Sequence, residues 1–165
     1  MALSGAKNLH EQTFDYQHDP QRIAVIQEYL VFLAHSCDRL ASESMSVAER
    51  EVFIARLAGE CARHLQRNSE EVLGSGDYSS PFIDTFNAGN LTYAQCAFRD
   101  GEPGYALLRT FASKIQSLMG QDQKNRWVLD QIIDIDSRES FDQVKRSMHN
   151  ILNTSARNNH RPDRA

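Results

Sequence analysis

Cys61-Ala62-Arg63-His64 sets a thiol and an imidazole three residues apart, so that on a helix both fall on one face. A thiol beside a base is a nucleophile, and a thiol with an imidazole is half of a metal site. His64 lies about 20° from Leu57 around a helix of 100° per residue, inside an apolar stripe. Either chemistry needs further groups, and no spacing in the chain supplies them. The pair therefore reads first as core packing, since a free Cys usually behaves as a small hydrophobe.

Asp130, Asp134 and Asp136 in "LDQIIDIDSRE" form a second constellation, of the type that holds Mg²⁺. Arg126 and Arg138 stand four residues from Asp130 and Asp134, so surface ion pairs explain those two acids. No second acidic motif completes a dinuclear centre, and neither metal nor cofactor is assigned. Arg56, Arg63 and Arg67 make a narrow cationic stripe, with Glu60 among them. Such a stripe suits an anion or the acidic surface of a partner, although Glu60 can also pair locally.

"VLGSGDYSSPF" (Val72–Phe82) is the sharpest break in the chain and has the outline of a phosphate cradle. Glu70, Glu71 and Asp77 surround it, and no Lys or Arg occurs between Arg67 and Arg99. That field repels phosphate. The residues have simpler backbone duties: Gly74 or Gly76 ends one helix, Ser79 or Ser80 caps the next, and Pro81 is its first residue. Leu91–Phe111 resembles a helix-turn-helix in outline. Its reading helix would offer Gly104, Tyr105, Ala106, Leu107 and Leu108, which mostly seek burial rather than base edges.

These groups must be positioned by helices. After Asp19-Pro20, expected as N-cap and first helical residue, Ile23, Ile26, Leu30, Leu33, Cys37 and Leu40 make one stripe. Val25, Tyr29, Phe32 and Ser36 make a second beside it. A helix apolar over half its circumference is either central or partly covered by a second subunit. His35 falls on its polar side with Glu28 and Arg39. Ser46-Val47-Ala48-Glu49 is a capping box, and the helix behind it carries Phe53, Ile54, Leu57, Cys61 and Leu65 to about Val72. The short link predicts an antiparallel pair. Further helices are expected from Pro81, across Leu91–Phe98, over Tyr105–Met119, after Asp122, and after Asp136. "NAGN" (Asn87–Asn90) should bend or end the third helix at Gly89. No alternating Val/Thr-rich segment predicts a strand.

The expected fold is all-α, a bundle of five to seven helices beginning with a long antiparallel pair. Residues 18–153 form one domain, between a flexible segment (1–17) and a disordered basic tail (154–165). At 165 residues the chain can bury roughly two-thirds of its unfolded surface. No apolar run is long enough to span a membrane, and "MALSGAKNLHEQTF" lacks a signal peptide's apolar core. Cys37, Cys61 and Cys96 are too few and too dispersed for a disulfide framework, so a cytoplasmic location with reduced thiols is expected. The net charge of −4 argues against a nucleic-acid binder.

With no convergent catalytic set, the leading expectation is a non-catalytic protein-interaction domain: a regulator, adaptor or accessory factor. Its partner is an unidentified protein or a second copy. Tyr29, Phe32, Arg56, Arg63, Arg67 and Tyr78 are the interaction candidates. The alternative is a small-molecule or cofactor-binding bundle, its pocket near Cys61 and His64 and walled by Phe86, Tyr93 and Tyr105. An enzyme ranks third.

Overall fold

In a computed structural model, residues 2–11, 14, 16–120 and 127–159 are described. The helices are α1 (Ala2–Glu11), α2 (Asp19–Ala41), α3 (Val47–Leu73), α4 (Ser79–Tyr93), α5 (Tyr105–Met119), α6 (Val128–Gln131) and α7 (Ser137–Asn159). A π-helical segment, Ile132–Asp136, joins α6 to α7. The fold is an all-α bundle, and among the described residues no helix is long and apolar enough to cross a membrane.

α2 is the central helix, packed by α1, α3, α4, α5 and α7. This is one of the two settings its apolar stripes implied, and Val25, Tyr29 and Phe32, with Val31 beside them, are wholly buried. Phe32 stacks on Phe111 of α5 at 4.3 Å, and Tyr29 meets the same ring edge-on at 4.9 Å. Its amino end differs by one residue from expectation. His18 is the N-cap, its Nδ1 accepting from the Gln21 amide, and Asp19 and Pro20 are the first two helical residues. α3 begins at the expected capping box: Ser46 N–H donates to Glu49 Oε2 (2.9 Å), and Glu49 N–H donates to Ser46 Oγ (3.4 Å). α2 and α3 are further tied by Arg50 and Asp38 at 3.1 Å.

Within the segment expected to be flexible (1–17), residues 2–11 form a helix. α1 lies on α2, burying Ala2, Ala6 and Leu9. The approach is close because Gly5 has no side chain: a Cβ there would stand 2.4 Å from the Tyr29 ring. At the other end the backbone of α7 stays helical to Asn159, beyond Asn153 where the apolar period ends. The expected Asp122 cap lies outside the described residues.

Two local expectations are corrected. α4 neither ends nor bends off at Asn87–Asn90; it runs unbroken to Tyr93, with Gly89 buried inside it. Gly89 is a crossing point: a Cβ there would lie 2.6 Å from His35 Nε2, so only glycine lets α4 sit this close to α2. One small strand pair also exists. Phe98–Arg99 (β1) pairs antiparallel with Glu102–Pro103 (β2) around Asp100-Gly101, both at positive φ (55° and 68°). Asp-Gly is the sequence preferred for a two-residue hairpin with that backbone, so the turn was legible where the strands were not.

Candidate functional site

The residues expected to line a pocket lie in different settings. His64 is exposed, its Nδ1 within 3.1 Å of Arg67 Nη2. Cys61 is half-buried, and burial pushes its thiol up, opposite to an activated thiolate. Burial likewise pushes Cys37 up to about 12, Cys61 adding to the effect. Phe86 and Tyr93 are core residues, whereas Tyr105 is 63% exposed. Asp130 and Asp134 are exposed, while Asp136 is 1% exposed. Arg126, the proposed partner of Asp130, lies outside the described residues. Among the described residues no group of three or more His, Cys, Asp or Glu is placed to share a metal ion.

The loop after α3 shows why the glycine-rich stretch is no cradle. Gln66 Oε1 accepts from the amides of Tyr78 (2.7 Å) and Ser79 (3.0 Å) and from the Ser79 hydroxyl (3.0 Å). Gln66 Nε2 also donates to Gly76 O at 2.7 Å. The amides at the start of α4, where a helix end would hold an anion, are therefore occupied. Asp77 accepts from the Ser80 amide, which holds its carboxyl below the usual range. Ser79 is already the first helical residue, so Pro81 is the third. Tyr78, an interaction candidate, is half-buried and donates its hydroxyl to Gly74 O within the same loop.

The polar side of α2 is buried under α4 and α5, not exposed as its pattern implied. Glu28 is 5% exposed, and its Oε1 accepts from the Tyr93 hydroxyl (2.6 Å) and pairs with Lys114 Nζ (3.1 Å). Lys114 also stands 4.7 Å above the Tyr93 ring. Burial, reinforced by Glu28, raises the Tyr93 phenol far above its usual range, so it donates and does not ionise. His35, 6% exposed, stacks on Phe86 at 4.8 Å and bonds its carbonyl at 3.1 Å. Arg39, third on that side, binds the carbonyls of Tyr93, Ala94 and Cys96 and closes the end of α4. Each group is satisfied within the chain, which is the pattern of a specifying network and not of a poised reaction centre. Glu28 and Lys114 do border an open cleft of about 600 Å³ with Arg109, Thr110 and Ser113 of α5. Sequence reasoning missed this cluster. Its signal was that a helix apolar on most faces must bury its few polar residues too.

A larger cleft, about 760 Å³, opens between α1, α2 and α3. Ala6, Ile23, Ile26, Leu65 and Val72 form its apolar walls; Lys7, Tyr16, His18, Asp19, Arg22 and Asn68 supply its polar groups. Arg22 pairs with Asp19 at 3.3 Å, and Tyr16 donates to the Ala6 carbonyl at 2.9 Å. Behind Tyr16, the Tyr29 hydroxyl reaches Asp136 Oδ2 at 3.4 Å. That carboxylate, in the π-helical segment, raises both phenols, although burial is the larger cause.

The outer side of α3 is the third feature. Val52, Phe53 and Leu57 line an open groove of about 600 Å³ with Ala48, Glu49, Arg56 and Glu60. Val52 is 54% exposed, and Phe53 and Leu57 are only half-buried. Arg56, Arg63 and Arg67 extend along the same side, because steps of seven and four residues return to one helix face. All three are exposed. Glu60 pairs with Arg63, and Glu49 is engaged in the capping box, while Arg56 has no ion pair among the described residues. Tyr29 and Phe32 take no part in this surface: of their two expected settings, a central position or a self-association seam, they occupy the central one.

The chain matches no protein-family description, no curated protein and no solved structure.

Proposed function

We propose that this chain is a non-catalytic, cytoplasmic interaction domain (a regulator, adaptor or accessory factor) that receives a partner protein on the outer face of α3. One observation carries the reading: a half-exposed apolar groove at Val52, Phe53 and Leu57 continues into a file of three exposed arginines. The acids within that file are engaged locally, by Arg63 and by the Ser46 cap. The complementary partner is an acidic amphipathic segment, its apolar side in the groove and its carboxylates on Arg56 and Arg67. A partner helix with anchors at i, i+3 and i+7 suits a groove that runs along a helix.

The test places a photo-crosslinking residue at Arg56, and separately at Asp142 on the exposed face of α7. Irradiation in the source cells should give a discrete adduct with one acidic protein from the Arg56 position only. Arg63→Glu with Arg67→Glu should abolish that adduct while leaving the helical spectrum unchanged. An adduct of two copies of this chain would replace the partner by self-association. Equal adducts from both positions, or an adduct indifferent to the arginines, would overturn the reading.

A further inference from the structure

We infer that, where no partner covers it, the outer face of α3 pairs antiparallel with the same face of a second copy, and that this weak dimer regulates access to the face. The regulation rests on the partner reading above, because a pair that buries the face must open before an acidic segment can take its place. The charge pattern carries the pairing. Glu49, Phe53, Arg56, Glu60, Arg63 and Arg67 follow one another at steps of four and three, the spacing of a seam between two helices. The five charged residues are exposed, and Phe53 is half-buried. A twofold axis at the level of Ala58 sets position 49 of one copy opposite 67 of the other, 53 opposite 63, and 56 opposite 60. In that register each Glu49 faces Arg67 of the second copy, and each Arg56 faces Glu60 of the second copy. The symmetry makes both pairs twice.

The apolar groove serves the same register. Phe53 stands opposite Arg63 of the second copy, an aromatic ring against a guanidinium. Leu57, one residue from the axis, meets Leu57 of the second copy. Other arrangements set like charges together. A shift of one heptad brings Glu49 opposite Glu60 in one direction and Arg56 opposite Arg67 in the other, and a parallel pair sets every charge against its own kind. The acids can serve both copies. Glu49 uses Oε2 for both side-chain contacts with Ser46, and Glu60 meets Arg63 through Oε1, so each keeps a second carboxylate oxygen. One helix laid along another, with exposed ion pairs, falls at the small end of specific interfaces, so the dimer forms in the range of about 10–100 μM. A second copy brings three arginines of its own to the seam, whereas an acidic segment brings only carboxylates. The partner therefore displaces the second copy.

Sedimentation equilibrium of the full chain, from about 1 to about 500 μM, should show a monomer–dimer equilibrium. Arg56→Glu sets acid against acid beside the axis, and Glu60→Arg sets base against base. Each alone should weaken the dimer roughly tenfold to a hundredfold. Mixed in equal amounts, the two variants should associate again, because each supplies the charge that the other lacks. Asp142→Arg, on the exposed face of α7, should leave the dimer unchanged. Far-UV circular dichroism checks that each variant folds, and Arg67→Glu is the second reversal if Arg56→Glu disturbs α3. The pairing is overturned if the chain stays monomeric throughout, if the reversals leave a dimer unaltered, or if the mixture fails to associate. A monomeric chain whose Arg56 crosslink still captures an acidic protein removes the dimer and leaves the partner. A charge-sensitive dimer without that adduct removes the partner, and the regulatory role with it, and leaves the pairing.

Discussion

Two glycines inside helices should respond to the same substitution with opposite signs. Replacing a mid-helical glycine by alanine normally stabilises by about 1 kcal/mol, because alanine restricts the unfolded chain and favours the helix. A Cβ at Gly59, within α3, would meet nothing within 4 Å, so Gly59→Ala should show that gain in full. Gly89 has the same intrinsic gain, but its new methyl would stand 2.6 Å from His35 Nε2 and 3.1 Å from both His35 Cδ2 and Val31 Cγ1. Overpacking costs about 1–3 kcal/mol. If His35 swings away, its nitrogen loses the Phe86 carbonyl, and an unpaired buried polar group costs about 1–3 kcal/mol more. Subtracting the propensity gain leaves Gly89→Ala destabilising by about 1–5 kcal/mol. The assay is urea unfolding followed by far-UV circular dichroism, with midpoints compared at constant slope. In a His35→Ala background the contacts with the ring are gone and only Val31 Cγ1 at 3.1 Å remains, so Gly89→Ala should become near neutral or stabilising, a coupling of about 2 kcal/mol. If Gly89→Ala stabilises the wild-type chain as much as Gly59→Ala does, the close crossing of α2 and α4 is wrong.

Three further outcomes follow from polar groups that the fold pairs. Burial holds the His35 imidazole below its usual range despite the Phe86 bond, so the unfolded chain binds more protons there. Stability from this residue is therefore complete above about pH 6.5, the unfolded value, and falls as pH drops below it; unfolding midpoints measured across that range should show the slope, and His35→Gln should remove it. Lys114→Met strands the Glu28 carboxylate beside a single phenol donor. Because Lys114 is partly exposed, the cost should be about 1–3 kcal/mol rather than the 3–5 of a fully buried pair, and Glu28→Gln in the same chain should recover part of it; a cost under about 0.5 kcal/mol would mean the pair is ordinary surface electrostatics. Gln66→Ala removes the acceptor from the start of α4, so amide exchange at Tyr78 and Ser79 should accelerate and stability fall by about 1–2 kcal/mol, with the core amides of α2 unaffected.

How far the sequence could be read depends on the range of the interaction concerned. The α3 capping box joins residues three apart, and the α2 stripes repeat every three or four, so both were visible in the chain itself. The arginine file on α3 was visible for the same reason. Gly89 shows the limit. Within its own segment a Gly between two asparagines signals a helix end, and only the His35 ring, on a helix 54 positions earlier, makes it a continuation. The expected pocket residues, Cys61, His64, Phe86, Tyr93 and Tyr105, were grouped by residue type and nearness in the chain. The fold divides them among a half-buried thiol, an exposed ring, two core aromatics and a surface tyrosine.

The buried polar contacts that tie α2 to its neighbours span long stretches of chain: 51 residues for His35 and Phe86, 65 for Tyr93 and Glu28, 107 for Tyr29 and Asp136. Such groups stabilise only when both partners arrive together, since either one alone leaves an expensive orphan in the core. They therefore select one arrangement of helices among the many that equally apolar stripes would permit. α2 provides one member of each pair, along one helix, and so sets the places of α4, α5 and the π-helical segment at once. The cleft and the arginine face follow from that arrangement. With the buried sides of α2 committed to those partners, α3 is left against one flank with its outer side uncovered, and α1 can approach only where Gly5 meets Tyr29. The surfaces available for binding are the ones that the polar core leaves over.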